Sequence, residues 1–584
     1  MRGQLLFQPS DALKIRLIAD YDKIDEICCA VANLVDGPTG AAVRAVGGQV
    51  NSNQPFSYNS FANFASVNDI ENYGFSGQVD YDLTDTVSLT SISAYRAVRS
   101  FTDQDSDFTS ADLIGENSNR TRIDTYTQEL RFASDFDGPL NFLLGGFFFH
   151  EKIDVDAQLL LGRDFRNYAN LLTRSAMFPT GAYIALEPTL RALLPGTPAA
   201  PFGGVGQGRF ENYAYKNTAV SLFGQLDFEI VDGLTLTGGF NYTRDRKRVV
   251  TNNSSTDVFS GLDLTLAGTR AGNPNAFAAL RPLQFLPPFQ NYPNTVENGK
   301  TRDNDFSYTI RANYKFDRRV SAYLTYATGF KASSFNLTYD SRPTVADAAA
   351  LRTAGLAVTN LTTGTRFAGP EDATVYEAGL KGNFPGFGFN IALFKQVLKG
   401  FQSNVFQGTG FVLGNAEKQS TRGIEIDATI SPVDNLDFTA SYTYLDPKFD
   451  SFTGGSAFNP ATNNVGPANL TGARPSGISA HSIAVGGTYE LDIGNDNALI
   501  FHTDYALSSA FRITQGLPFK ADPESLNASI AFRMANGLEL SVWGRNLTET
   551  KFNSTIFPGV AQSGTLSAYP SPPKTYGVSG RFKF

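Results

Sequence analysis

Histidine, tryptophan, methionine and cysteine are nearly missing from this 584-residue chain, which holds three His, one Trp, three Met and two Cys. His150, His481 and His502 stand far apart, so no spacing typical of a histidine metal site or a histidine base is present. Cys28 and Cys29 are neighbours, which disulfide geometry rarely joins, and they have no partner ligands at metal spacing. Long apolar runs are missing too. Leu143 to Phe149 is the most apolar stretch, yet it contains Gly145 and Gly146, ends at His150, and falls far short of the roughly 18 residues a membrane helix needs. If the chain crosses a membrane, it does so with strands. A formal net charge of -8 leaves no overall basic field, which excludes nucleic acid as a partner. The start, Met1-Arg2-Gly3-Gln4 followed by Leu5-Leu6-Phe7, has neither the apolar core nor the cleavage site of a signal peptide.

What is present is alternation. From Asp305 to Phe335, Phe306, Tyr308, Ile310, Ala312, Tyr314 and Phe316 share one face and Ser307, Thr309, Arg311, Asn313 and Lys315 the other. After the corner Asp317-Arg318-Arg319, Val320, Ala322, Leu324, Tyr326 and Phe330 oppose Ser321, Tyr323, Thr325 and Lys331. This is a hairpin with one apolar and one polar face, and each arm reaches the roughly 9–11 residues that a tilted strand needs to cross a bilayer. The unit recurs along the chain. Short corners such as Thr84-Asp85, Val231-Asp232-Gly233 and Pro385-Gly386 alternate with long gaps, among them 23–71, 152–216, 250–302, 332–370, 400–419 and 551–572. Short turns at one end and long loops at the other are the asymmetry of outer-membrane barrels.

About 19 strands are expected, far more than the roughly eight whose side chains can fill a barrel interior. The apolar face must therefore look outward. Val79, Leu236, Ile310 and Leu324 are expected against lipid, and aromatics near strand ends such as Tyr21, Tyr73, Tyr81, Tyr242, Tyr314, Tyr326 and Tyr576 at the interfaces. Arg16, Glu129, Arg131, Asp245 and Arg311 fall on the lumen face, as does Trp543, which shares parity with Glu539, Ser541 and Arg545. Ligand-contacting residues should come from that face and the long loops, and the sequence does not single any out.

Several pieces also carry a family likeness. Tyr326-Ala327-Thr328-Gly329-Phe330-Lys331, then Pro370-Glu371, Tyr376-Glu377-Ala378-Gly379-Leu380-Lys381, Asn415-Ala416, Thr421-Arg422-Gly423-Ile424-Glu425 and Gly544-Arg545-Asn546-Leu547-Thr548 follow one another to a chain ending on Phe584. In order and spacing this resembles the barrel of TonB-dependent outer-membrane receptors. The resemblance covers residues 1–584 and implies an all-β, large antiparallel transmembrane barrel with short periplasmic turns and long extracellular loops. Members have 22 strands behind an N-terminal plug, so about three strands, the plug, the TonB box and the signal peptide are expected to be missing, as in an N-terminally truncated chain. The first strand, Gln4 to Gln8, and the last, Lys574 to Phe584, both run toward the short-turn end and should be separated by a gap or a strained seam. Tyr576, Val578, Phe582 and Phe584 share a face, and the terminal aromatic resembles the signal read by the barrel-assembly machinery.

The implied function is an outer-membrane receptor for TonB-dependent uptake of a scarce ligand, with a ferric siderophore or similar iron chelate as the ligand class. Membrane lipid is a partner, and TonB is reached only through the missing plug. A passive, porin-like channel is the alternative, motivated by that missing plug. An outer-membrane enzyme is a third reading, but catalytic motifs are thin and no cofactor, metal or catalytic residue is assigned. His150-Glu151 lacks the second histidine of a zinc protease, since Asp154 stands there. Gly299-Lys300-Thr301 lacks the leading glycine of a phosphate loop, and Gly203 to Gly208 lacks dinucleotide spacing and reads as a flexible linker. Asp103, Asp105 and Asp107 alternate as in a calcium loop, but Phe108 and Ile114 occupy the Gly and Glu positions, so a solvated acidic loop is expected. Asn241-Tyr242-Thr243 is a sequon in mid-strand.

Overall fold

The computed structural model describes residues 1–27, 31–51, 53–338, 341–407, 410–461 and 464–583. Cys28, Cys29 and Phe584 lie outside these, and with them the readings placed on the cysteine pair and the terminal aromatic. The main sheet has 20 strands, one of them the two-residue stub Ser254–Ser255, which leaves 19 that build the wall. In chain order they are β1 (Arg2–Ser10), β2 (Leu13–Glu26), β3 (Val67–Thr84), β4 (Val87–Asp103), β5 (Ile114–Ser134), β6 (Leu140–Leu161) and β7 (Gly208–Val231). Then come β8 (Leu234–Thr251), β9 (Lys300–Lys315), β10 (Val320–Lys331), β11 (Glu371–Phe384), β12 (Phe387–Gln407) and β13 (Gly410–Val433). The last are β14 (Leu436–Ser451), β15 (His481–Gly494), β16 (Asn497–Ser508), β17 (Glu524–Arg533), β18 (Leu538–Arg545) and β19 (Thr575–Phe582). Every neighbouring pair is antiparallel.

The tight corners use residues that tolerate left-handed backbone. Asn495 and Asp496 (φ 54° and 59°) turn β15 into β16, as a two-residue hairpin with the native strand twist requires. One expected long gap is absent. Over 400–419 the chain continues as the upper arms of β12 and β13, paired from Phe401–Ala416 to Gln407–Gly410. Its Gly and Asn content reads as loop, while the ladder to the facing arm satisfies the backbone instead.

Parity assigns the faces. Val79, Leu236, Ile310 and Leu324 are all exposed, on the same side as Phe75, Phe240, Phe306 and Tyr376. The opposite face carries the polar set. At its upper end it is covered: Tyr213, Asp245, Val249 and Thr251 are buried.

The cover is built by the long loops, which are folded rather than extended. Helices α1 (Gly40–Ala45), α2 (Phe165–Leu172), α3 (Ala182–Leu193), α4 (Leu264–Arg270) and α5 (Val345–Thr353) all lie in them. Phe165, Tyr183, Leu190, Phe202, Phe259, Leu264 and Leu286 form one apolar core shared by the 162–207 and 252–299 loops. Gly203 belongs to it. Its φ of 63° and the Tyr183 ring, which would lie 2.7 Å from an added Cβ, make the glycine run a packed turn and not a flexible linker. Burial of apolar surface at about 25 cal/mol per Å² holds such loops in place without any contact to lipid.

Among the described residues, no ladder joins β1 to β19. β1 is exposed along its whole length, and β19 at every position but Gly577. With 19 antiparallel strands in all, the first and the last run in the same direction, as the sequence leads one to expect. The rim is different. Ala32–Val35 of the first long loop pairs with Leu566–Pro570 of the last, which pairs in turn with Asn553–Pro558.

Candidate ligand lumen and loop cap

The lumen face of β9 to β13 explains why the receptor-like motifs hold these residue types. Tyr323 on β10 lies flat across β11, and a Cβ on Gly379 would stand 2.2 Å from its ring. Only glycine fits there. The Tyr323 hydroxyl donates to Glu377 Oε1 at 2.6 Å, while Arg311 and Lys381 sit over the ring at 4.4 and 5.5 Å. Tyr-Glu-x-Gly-x-Lys is therefore a saddle: the glycine admits the ring and the charges on either side fix it. Gly423 repeats the arrangement under Phe394, whose Cζ is 2.5 Å from the position of an added Cβ. Trp543 gains the partner that sequence reading missed. It crosses Gly577 of β19, donates from Nε1 to Ser579 Oγ at 3.0 Å and carries Arg545 over its ring at 5.0 Å.

The expected lumen residues do not converge on one point. Arg16 lies on β2, beside the sheet edge. Glu129 and Arg131 of β5 pair with each other at 2.9 Å, and Asp245 of β8 pairs with Lys247 at 2.5 Å. Only Arg311 joins the Tyr323 cluster. The histidines stay apart as well: His150 meets Thr218 Oγ1, His481 the Tyr442 hydroxyl and His502 Thr488 Oγ1, each at 2.9 Å. Asn241 of the mid-strand sequon donates to Thr243 Oγ1 at 3.0 Å.

Above the lumen, the acidic stretch after β4 is not solvated. Asp105 and Asp107 are buried. Asp105 Oδ1 accepts the amides of Asp107 and Phe108, and its Oδ2 accepts that of Asn63. Asp107 Oδ1 accepts from Thr109, and its Oδ2 from the amide of Ile114 at 2.9 Å. These carboxylates replace backbone partners for a tight loop; among the described residues no group of His, Cys, Asp or Glu could hold a metal ion. Burial pushes the Asp105 carboxyl up to about 6, and burial with the neighbouring Asp105 charge raises Asp107 well above the usual carboxylate range. Burial likewise raises Asp257, despite the bonds it accepts from Ser260 and Phe259. Glu187 meets both Arg166 and Arg191 at 2.7 Å, and these partners outweigh burial to lower its carboxyl.

Loop-to-loop ties continue around the rim. Asn360 Nδ2 donates to Leu262 O at 2.8 Å, Tyr168 to Ala561 O at 2.7 Å and Thr514 to Ile556 O at 2.7 Å. The whole is a polar, wide-walled tube under a folded cap.

Comparison with known proteins decides what such a tube is. The family described as "TonB dependent receptor-like, beta-barrel" matches residues 32–547. The chain belongs to this family. It is therefore a barrel of the outer membrane, of a family that transports and does not catalyse. Solved structures agree in fold. The ferric yersiniabactin uptake receptor FyuA from Yersinia pestis superposes with a TM-score of 0.67 at 14% identity, covering 100% of this chain and 70% of that one. The siderophore receptor PiuA from Acinetobacter baumannii gives 0.63 at 13% identity, over 99% of this chain and 73% of that one. The ferripyoverdine receptor of the Pseudomonas aeruginosa outer membrane gives 0.62 at 12% identity, over 100% and 64%.

Proposed function

We propose that this TonB-dependent receptor barrel takes up a ferric siderophore or a similar iron chelate, captured by the loop cap and passed through the lumen. The main support is the combination of long loops with their own apolar cores at one end of the wall and a lumen face that carries Tyr323, Arg311 and Lys381 nearer the short turns. Aromatic and cationic side chains together suit a chelate that is planar in parts and anionic overall. Receptors named for ferric yersiniabactin and ferripyoverdine share the fold, which favours the same ligand class here.

The energised step is proposed to need a plug and a segment contacting TonB, and the wall an odd number of further strands. That no ladder joins β1 to β19 among the described residues supports the last point, because an open strand edge in lipid leaves N–H and C=O groups without partners. Three strands would complete a wall of 22. The chain folded into bilayers should bind ferric catecholate or hydroxamate chelates, read as quenching of Trp543 and tyrosine fluorescence. Quenching by cobalamin or a glycan alone would reject the iron-chelate reading, and steady conductance by a closed, unliganded barrel would favour a passive pore.

A further inference from the structure

The outer wall carries a cationic patch that the transport reading does not use. On β7, β8 and β9 the even-numbered residues face outward, where Leu222, Phe240, Tyr242 and Phe306 are exposed to lipid. Farther toward the long loops, beyond or beside Val220, Thr218 and Asn304, the outward positions hold Lys216 on β7, Arg244, Arg246 and Arg248 on β8, and Lys300 and Arg302 on β9, all exposed. The ladder places them in rows. Lys216, Arg248 and Lys300 are directly opposite one another, and so are Thr218, Arg246 and Arg302; Arg244 stands beside Asn304, one step above Tyr242 and Phe306. Strand spacing of about 4.8 Å and a rise of about 6.8 Å per two residues put the six cations in a field about 10 Å wide and about 14 Å tall.

Like charges directly opposite in a sheet destabilise it, and such side chains ordinarily recruit carboxylates. The same strands do so on their lumen face, where Lys247 meets Asp245 at 2.5 Å and Arg209 meets Glu211 at 3.4 Å. Elsewhere on the outer wall Arg422 meets Asp446 at 2.9 Å. None of the six patch cations is within ion-pair distance of a carboxylate among the described residues. Lys216, Arg246, Arg248, Lys300 and Arg302 instead border one open depression, of about 570 Å³, on the long-loop side of the aromatic row and separated from it by the row of Arg244.

We propose that this patch binds the phosphate groups of an anionic lipid headgroup in the leaflet on the long-loop side, with the acyl chains lying on Phe240, Tyr242 and Phe306. Three features favour this occupant. The patch sits where interfacial aromatics give way to polar wall, which is headgroup depth. Guanidinium groups take phosphate oxygens in bidentate pairs. The field is also wide enough for more than one phosphate on a single headgroup.

The test uses the full chain folded into phosphatidylcholine vesicles, with or without a minor fraction of bis-phosphorylated lipid A, then extracted in mild detergent and weighed by native mass spectrometry. The wild type should retain lipid A. The triple variant R244Q/R246Q/R302Q should retain at least about tenfold less, since each cation near a charged surface contributes comparably. R318Q/R319Q, in the short turn after β9, should retain it as the wild type does. Heat-modifiable gel mobility confirms that each variant is folded. Should the triple variant fail to fold, raising salt on the wild type gives a second reading, because an exposed electrostatic contact must weaken as salt rises. Equal retention by wild type and triple variant, or retention insensitive to salt, would overturn the proposal. So would displacement of the lipid by millimolar inorganic phosphate, which would assign the patch to free phosphate instead.

Discussion

Arg366 and Glu297 form a bidentate ion pair inside the loop cap, Nε to Oε1 at 3.0 Å and Nη2 to Oε2 at 3.1 Å, with side-chain exposures of only 4% and 7%. Arg366 also lies over Tyr292 at 4.3 Å and donates to Ser341 O, so one guanidinium ties the 252–299 loop to the 332–370 loop. Removing either partner leaves the other charged and buried, at a cost of about 3–5 kcal/mol. Arg366→Ala or Glu297→Ala should therefore open both loops to protease while the wall stays intact. The paired change R366M/E297L should restore much of the protection. Limited proteolysis of the folded barrel reads this directly, and unchanged cleavage in the single variants would remove the pair from the account of the cap.

Facing is tested by neighbours on β10. Leu324 points to lipid and Thr325 to the lumen, opposite Glu377 by register. Arginine at a mid-bilayer lipid-facing site costs about 2–4 kcal/mol, against little in a wet lumen. Leu324→Arg should lower the yield and stability of folding into lipid, and Thr325→Arg should not. Equal effects would reverse or abolish the assignment of faces.

The saddle makes a prediction about glycine. Gly379→Ala would drive a methyl into the Tyr323 ring, an overpacking that costs about 1–3 kcal/mol. Gly238→Ala, at a position where an added Cβ meets nothing within 4 Å, should cost less than half as much. Denaturant midpoints for refolding into detergent distinguish the two, and pairing Gly379→Ala with Tyr323→Ala should recover part of the loss.

Asp105 sets a pH dependence whose sign follows from its environment. Its carboxyl is raised from 3.8 to about 6, first by burial, so the folded loop holds the proton more tightly than the unfolded chain does. The stability this adds is full below 3.8 and is lost as pH rises through about 6. Amide exchange at Asp107 and Phe108, corrected for intrinsic rate, should therefore be slower at pH 5 than at pH 7.5. Asp105→Asn keeps the accepting oxygen and should flatten the difference; a loop that becomes better protected as pH rises would contradict the buried-acid account.

What the sequence reveals follows the range of the interactions. Alternation within β9 and β10 is a local signal, and so are the Asn, Asp and Gly corners, which is why strand number and facing read correctly. Partners chosen across the chain do not announce themselves. Trp543 reads as an isolated oddity until Gly577 is placed opposite it, and Asp105 and Asp107 read as solvated because the amides that bury them come from Asn63 and Ile114. The upper arms of β12 and β13 look like loop because Gly and Asn there mask the parity. Net charge hides the patch on β8: a chain of overall -8 still gathers three arginines at alternate positions of one strand.

The rim sheet also sets the order in which this molecule can assemble. The Gly37 amide donates to Thr565 Oγ1 across 528 residues of chain, next to the ladder that joins Ala32–Val35 to Leu566–Pro570. Loop-closure entropy grows only slowly with length, so such a contact is affordable at equilibrium, but long-range pairing is slow to find. The hairpins of the wall need only their sequence neighbours and can form early. The contact between the first and last long loops must wait until nearly the whole wall is in place, so a kinetic probe on Thr565 or Ala568 should report the latest phase of folding.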